Sequence, residues 1–94
     1  MHATVRHYSG SPGFADALVE RESDVRSLIQ EIDGFRAYYL IKVGDDETVT
    51  VSVFEDASGA DESVRRAAEW IRENLSDLSV QPPQVSSGEV AIQF

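Results

Sequence analysis

The segment Ile32–Asp56 constrains this chain more than any other. It reads Ile-Asp-Gly-Phe-Arg-Ala-Tyr-Tyr-Leu-Ile-Lys-Val-Gly-Asp-Asp-Glu-Thr-Val-Thr-Val-Ser-Val-Phe-Glu-Asp. Phe35–Val43 and Thr48–Glu55 are rich in β-branched and aromatic residues, and Gly44-Asp45-Asp46 supplies turn chemistry between them, so the segment predicts a β-hairpin. Both faces of the hairpin carry apolar groups. Phe35, Ala37, Tyr39, Ile41 and Val43 share one parity of the first strand, with Tyr38 and Leu40 on the other. In the second strand Val49, Val51 and Val53 alternate with Thr50, Ser52 and then Phe54. A sheet with one wet face alternates more cleanly, so the hairpin is expected in a sheet covered on both sides.

Ninety-four residues make a single domain, residues 1–94. A chain of this length buries only about 60–65% of its unfolded surface, so association would help it. There are 17 acidic residues against 8 Lys plus Arg, for a net charge of -9. Such a balance argues against nucleic acid and against anionic membranes as partners. Without cysteine there are no disulfides, thiolate metal sites or thiol nucleophiles. No apolar run approaches the ~18 residues of a membrane span, and the first residues read directly as a strand, so the expectation is a cytoplasmic protein.

In chain order, Ala3–Tyr8 predicts a first strand, with Ala3, Val5 and His7 on one face and Thr4, Arg6 and Tyr8 on the other. After the Ser9–Gly13 loop, Phe14, Leu18, Val25, Leu28, Ile29 and Ile32 keep the helical period. They predict one helix from Pro12 or Phe14 to Asp33, with Ser11 as N-cap and Gly34 as its left-handed terminator. Beyond the hairpin, Ser58 reads as the N-cap of a second helix whose apolar stripe is Val64, Ala67, Ala68, Ile71 and Leu75. Trp70 lies on the edge of that stripe and needs a cleft or a partner. Leu75–Ser87 reads as irregular, since Pro82-Pro83 cannot lie in a helix or a central strand, and Gly88–Phe94 reads as the last strand.

Strand–helix–strand repeated around a tight hairpin is the split βαβ or ferredoxin-like order. It is an α+β fold with a four-stranded antiparallel sheet and two helices on one face. Two helices cover one face only. A second apolar face is seldom left open in a soluble monomer, so a two-fold homodimer with sheets face to face is expected, enclosing a barrel-like interior.

The chain resembles the small proteins of the dimeric α+β barrel group, the antibiotic biosynthesis monooxygenase-like domains. The resemblance runs along nearly the whole chain. It rests on Ile32-Asp-Gly-Phe35-Arg-Ala-Tyr-Tyr after the first helix, on Val51-Ser-Val-Phe-Glu-Asp56 before the second, and on Ala67-Ala-Glu-Trp70 within it. A Pro-Gly-Phe turn is common there; Asp33 stands in place of the proline. The resemblance implies a fold whose members differ in activity. Some oxidise polycyclic aromatics with dioxygen and no bound cofactor, some degrade haem, some isomerise lactones. Haem degradation in the family relies on an early Asn, a Trp on the second helix and a later His. Trp70 matches the Trp, but the first strand has Arg6-His7-Tyr8 and no His follows Trp70.

Candidate site residues follow. His7 can serve as a base near neutral pH, and Arg36 and Tyr38 can hold an enolate and donate a proton. Tyr8, Phe54 and Trp70 can line a pocket for a small aromatic or other organic molecule. The competing readings are a packed histidine, an edge arginine and core or interface aromatics. His2 and His7 fall on opposite faces of a strand and cannot share a metal, so neither a metal nor another cofactor is expected. The expectation is therefore a cofactor-independent monooxygenase or small-molecule binder, with a non-catalytic dimerising or regulatory module as the alternative.

Overall fold

The computed structural model describes residues 1–94. The elements are β1 (His2–Tyr8), α1 (Phe14–Glu20), α2 (Glu22–Gln30), β2 (Phe35–Val43), β3 (Glu47–Phe54), α3 (Ala57–Asn74), a 3-10 turn at Ser76–Leu78, and β4 (Gln84–Glu89). The sheet order is β2-β3-β1-β4 and every pairing is antiparallel, which is the expected ferredoxin-like α+β arrangement. No helix is long and apolar enough to cross a membrane.

The helices lie against one face of the sheet, which mixes buried hydroxyls with aromatics. Thr4, Arg6 and Tyr8 of β1 and Thr48, Thr50, Ser52 and Phe54 of β3 are buried beneath them. The opposite face is aliphatic. Val5 pairs with Val51, Ala3 with Val53 and His7 with Val49, while Ala37, Tyr39 and Ile41 of β2 stand opposite Val53, Val51 and Val49. Tyr39, Ile41 and Val43 are exposed there.

Several sequence expectations change at this level. The first helical run is two helices, broken at Arg21, which takes φ −104° and ψ 29°. The two halves serve different cores. Phe14 and Leu18 pack with Tyr8 and Leu75, whereas Ile29 and Ile32 pack with Phe54 and Ala60. Ser11 is not the N-cap, because its hydroxyl accepts from the Gln81 N–H at 3.1 Å; Gly13, at φ 79°, precedes the helix instead. The cap of α3 falls at Asp56, whose carboxylate accepts from the Gly59 N–H at 3.3 Å and from the Ser58 hydroxyl at 2.6 Å. Asp56 is extended, so its side chain can fold back over the first turn in a way that Ser58, already inside the helix, cannot.

β4 begins right after Pro82-Pro83 and stops at Glu89, whereas the alternation of Val90, Ile92 and Phe94 had placed the strand there. The cause lies in the partner strand. His2 opposes Glu89, and beyond it only the Val90 N–H still finds a partner, the carbonyl of Met1 just ahead of β1, 2.9 Å away. Ile92 and Phe94 have nothing to pair with and are exposed.

The hairpin carries a β-bulge. Phe35 opposes Phe54 and Ala37 opposes the next residue, Val53, so Arg36 is the extra residue on β2. The bulge resets the parity of the strand. Phe35 turns inward with Tyr38 and Leu40 rather than outward with Ala37 and Tyr39, and its ring meets that of Phe54 edge-on at 6.0 Å.

Candidate functional site beneath the helices

Period-two alternation sets Thr4, Arg6 and Tyr8 on the helix side of β1, and the antiparallel register sets Thr50 opposite Arg6. Arg6 is 2 % exposed. Its Nε donates to the Thr50 hydroxyl at 3.0 Å, and Nη1 reaches the Ser63 hydroxyl of α3 at 3.5 Å. Ser63 in turn donates to the Ala60 carbonyl at 2.7 Å, leaving its lone pairs for Arg6. No carboxylate pairs with this guanidinium. A buried cation held only by hydroxyls is an unusual arrangement, because neutral groups repay little of the cost of taking a charge out of water.

Tyr8 and Tyr38 flank Arg6. Burial pushes both phenols above the ordinary tyrosine range; the charge of Arg6 and a hydrogen bond with it pull the other way without cancelling the effect. Both phenols therefore keep their protons at neutral pH and can donate a hydrogen bond to a ligand. Trp70 closes the group from α3, and the Arg21 guanidinium lies over its ring at 5.9 Å. One row along the sheet, the Thr4 and Ser52 hydroxyls oppose each other, both buried and without a partner.

Arg6, Tyr8, Tyr38 and Trp70 border a void of about 20 Å³, room for about one water molecule. Two larger clefts flank it. One, of about 380 Å³, opens between α1–α2 and β2; Leu18, Val25, Ile29, Phe35, Tyr38 and Leu40 line it, and Glu22 and Arg26 stand at its rim as an ion pair. The other, of about 480 Å³, opens between α3, the Ser76–Pro83 segment and the β1–β4 pair, with Arg6 and Tyr8 on its floor. Both are of a size that holds a small organic ligand.

The residues singled out in the sequence divide among three places. Tyr38, Tyr8 and Trp70 meet beneath the helices. Phe54 is on the same side but is fully buried against Ile32 and Ala60, and borders none of these cavities. His7 points to the aliphatic face, where its Nε2 lies 3.3 Å from Glu47 Oε2. Arg36, thrown outward by the bulge, pairs with Glu55 at 2.8 Å on the surface. The clefts of this chain lie between the sheet and the helices. The interior holds neither imidazole nor carboxylate. Arg6 and Ser63 are the groups that sequence reasoning passed over. Arg6 shared a parity with Tyr8, but its pairing with Thr50 needs a register. Ser63 lies beside the expected stripe of α3, whose buried line runs through Gly59, Ala60, Ser63 and Ala67 instead. There is no group of three or more His, Cys, Asp or Glu residues able to hold a metal.

No family model and no curated protein matches the chain. Solved structures do. A protein of unknown function from Nitrosomonas europaea, NE2512, superposes with a TM-score of 0.75 at 21% identity, over 99% of this chain and 91% of the other. A monooxygenase from the gene ActVA-Orf6 of Streptomyces coelicolor, solved with Nanaomycin D, superposes at 0.66 with 24% identity over 99% and 91%. SnoaB, a cofactor-independent oxygenase from Streptomyces nogalater, does so at 0.67 with 13% identity over 99% and 95%. Further neighbours are described as candidate antibiotic biosynthesis monooxygenases. At these identities the likeness establishes an antibiotic biosynthesis monooxygenase-like fold.

Proposed function

We propose, from the fold shared with antibiotic biosynthesis monooxygenases, that this protein binds a small hydroxylated aromatic molecule beneath its helices. The observation that carries the reading is Arg6, a buried cation with no carboxylate, set between two protonated phenols, of which Tyr8 lines the same cleft of about 480 Å³ and Tyr38 lines the other. A phenolate or enolate oxygen arriving there supplies the missing negative charge and accepts from Tyr8 and Tyr38. If oxygen chemistry follows, the ionised substrate gives all four electrons that dioxygen takes up. A phenol and dioxygen become a quinone and water, with one oxygen atom retained in the product and no cofactor required. Arg6 holds the charge, Tyr38 donates a hydrogen bond and the apolar walls keep water out. Because the interior offers no base, the substrate must be acidic enough to ionise against Arg6 or before it enters. That favours a binder, or an enzyme of self-ionising substrates, over general-base catalysis. His7 and Arg36 are not assigned to this site.

The protein acts as a homodimer in this reading, through the aliphatic face that the helices leave open. The neighbours' fold and the exposed Tyr39, Ile41 and Val43 support it. The absence of cysteine suits a reducing cytoplasm.

Trp70 is the single tryptophan of the chain and borders the cavity, so its fluorescence reports occupancy. Titration with naphthol should change the emission saturably, and Tyr38→Phe should weaken binding about tenfold, the worth of one hydrogen bond to a charged group. An oxygen electrode then separates enzyme from binder. Unchanged emission across a panel of naphthols and anthrones would leave only the non-catalytic module.

A further inference from the structure

The chain has eight Lys plus Arg residues among seventeen acids. Six of the eight are in ion pairs: Arg21 with Asp24, Arg26 with Glu22, Arg36 with Glu55, Lys42 with Asp16, Arg65 with Glu62 and Glu69, and Arg66 with Glu62. The two without a carboxylate are Arg6 and Arg72. They come from different elements, β1 and the last turn of α3, and they line the same cleft, the one of about 480 Å³. No aspartate or glutamate lines it. In so acidic a protein, where every other lysine and arginine has found a carboxylate, this cleft keeps two positive charges for something outside the chain. Its remaining walls are largely apolar, with Ile71, Val80 and Val85 among them, and the Ser76 and Ser79 hydroxyls at hand. Ser79 is also the one non-glycine residue with positive φ, 53°, a conformation that costs energy and is held where the surroundings demand it.

The geometry points to an organic anion as the ligand of this cleft, a carboxylic acid with an aromatic or aliphatic body. Its carboxylate lies between Arg6 and Arg72 and its body lies against the apolar wall. Arginine's planar fork matches a carboxylate bidentately, which a diffuse acidic surface cannot offer. The ligand class deepens the proposed small-molecule function and rests on it, since Arg6 serves both.

A matched pair tests the charge. Naphthoate and naphthamide have nearly the same shape, and calorimetric titration of the full chain measures both. Naphthoate should bind at least about tenfold more tightly than naphthamide, with an affinity that falls as salt is added. Arg72→Gln, an exposed substitution that should leave folding intact, should remove most of that advantage, weakening naphthoate far more than naphthamide. Equal binding of the two, untouched by Arg72→Gln, would overturn the anion assignment while the small-molecule site stands. Binding of naphthol alone, with neither naphthoate nor naphthamide, would do the same. If none of the three binds, the site beneath the helices fails as well, and the anion assignment with it.

Discussion

Arg6 is where stability and function pull apart. A guanidinium buried among hydroxyls, without a counter-charge, costs more than its hydrogen bonds to Thr50 and Ser63 return. Arg6→Met replaces the charge with a flexible apolar chain of similar length. It should stabilise the unliganded protein by about 1–3 kcal/mol in urea unfolding while abolishing the binding of phenols and acids. Loss of stability in that variant would mean that the cation is structural. The neighbouring phenols set a second, pH-dependent expectation. Burial raises the folded-state pKa of Tyr8 and Tyr38 above the ordinary 10.0. Above that value the unfolded chain has already released protons that the folded chain still holds, so ionisation favours unfolding. Their contribution is complete below about pH 10 and is lost as the pH climbs through the raised folded values. Tyr8→Phe should therefore flatten the alkaline fall in stability, measured as urea midpoint against pH. A fall as steep as in wild type would count against a buried, protonated Tyr8.

Among the elements, the start of α3 is the most tightly seated. A side chain at Gly59 would put its Cβ 3.0 Å from the Asp33 carbonyl oxygen and equally close to Phe54 Cβ and Cδ1. The oxygen belongs to the turn leading into β2, so it cannot step aside like the end of a side chain. Gly59→Ala should cost about 1–3 kcal/mol in denaturant unfolding despite alanine's better helix propensity. A gain in stability would show that α3 sits further from the sheet. The same turn holds Gly34 at φ 81°, whose carbonyl accepts from the Glu55 N–H at 2.8 Å, so the bulge, the turn and the helix cap form one unit. That unit sends Arg36 outward to Glu55 and brings Phe35 inward.

At the scale of the molecule, strand hydroxyls and aromatics lie under the helices, and aliphatic residues lie in the open. Val5, Val51 and Val53 make the centre of the uncovered face, with Tyr39 and Ile41 beside them. An area this apolar suits an association surface, and a second copy covering it is the proposed arrangement. Val51→Lys sets a charge at its centre without touching the helix side. Light scattering should give twice the chain mass for the wild type and a single chain mass for the variant, with naphthol still quenching Trp70. A wild-type protein that stays single in dilute solution would remove the dimer and leave the helix-side cleft in place.

Periodicity in the chain was enough for the order of elements, the antiparallel hairpin, and the surplus of apolar groups for one layer of helices. These follow from local rules: alternation, caps and turn residues act within a few neighbours. Which face of each strand looks where was decided only on folding. One extra residue at Arg36 reverses the parity of Phe35, and the limit of β1 rather than any local signal ends β4 at Glu89. Arg6 is the clearest case. Its place on the strand was legible, but that it lies buried without a carboxylate, facing the cleft it shares with Arg72, depends on pairings across more than forty residues of chain. The helical ion pairs follow from spacing of three or four residues, but whether a strand arginine finds a carboxylate is set by distances in space between elements far apart in the chain.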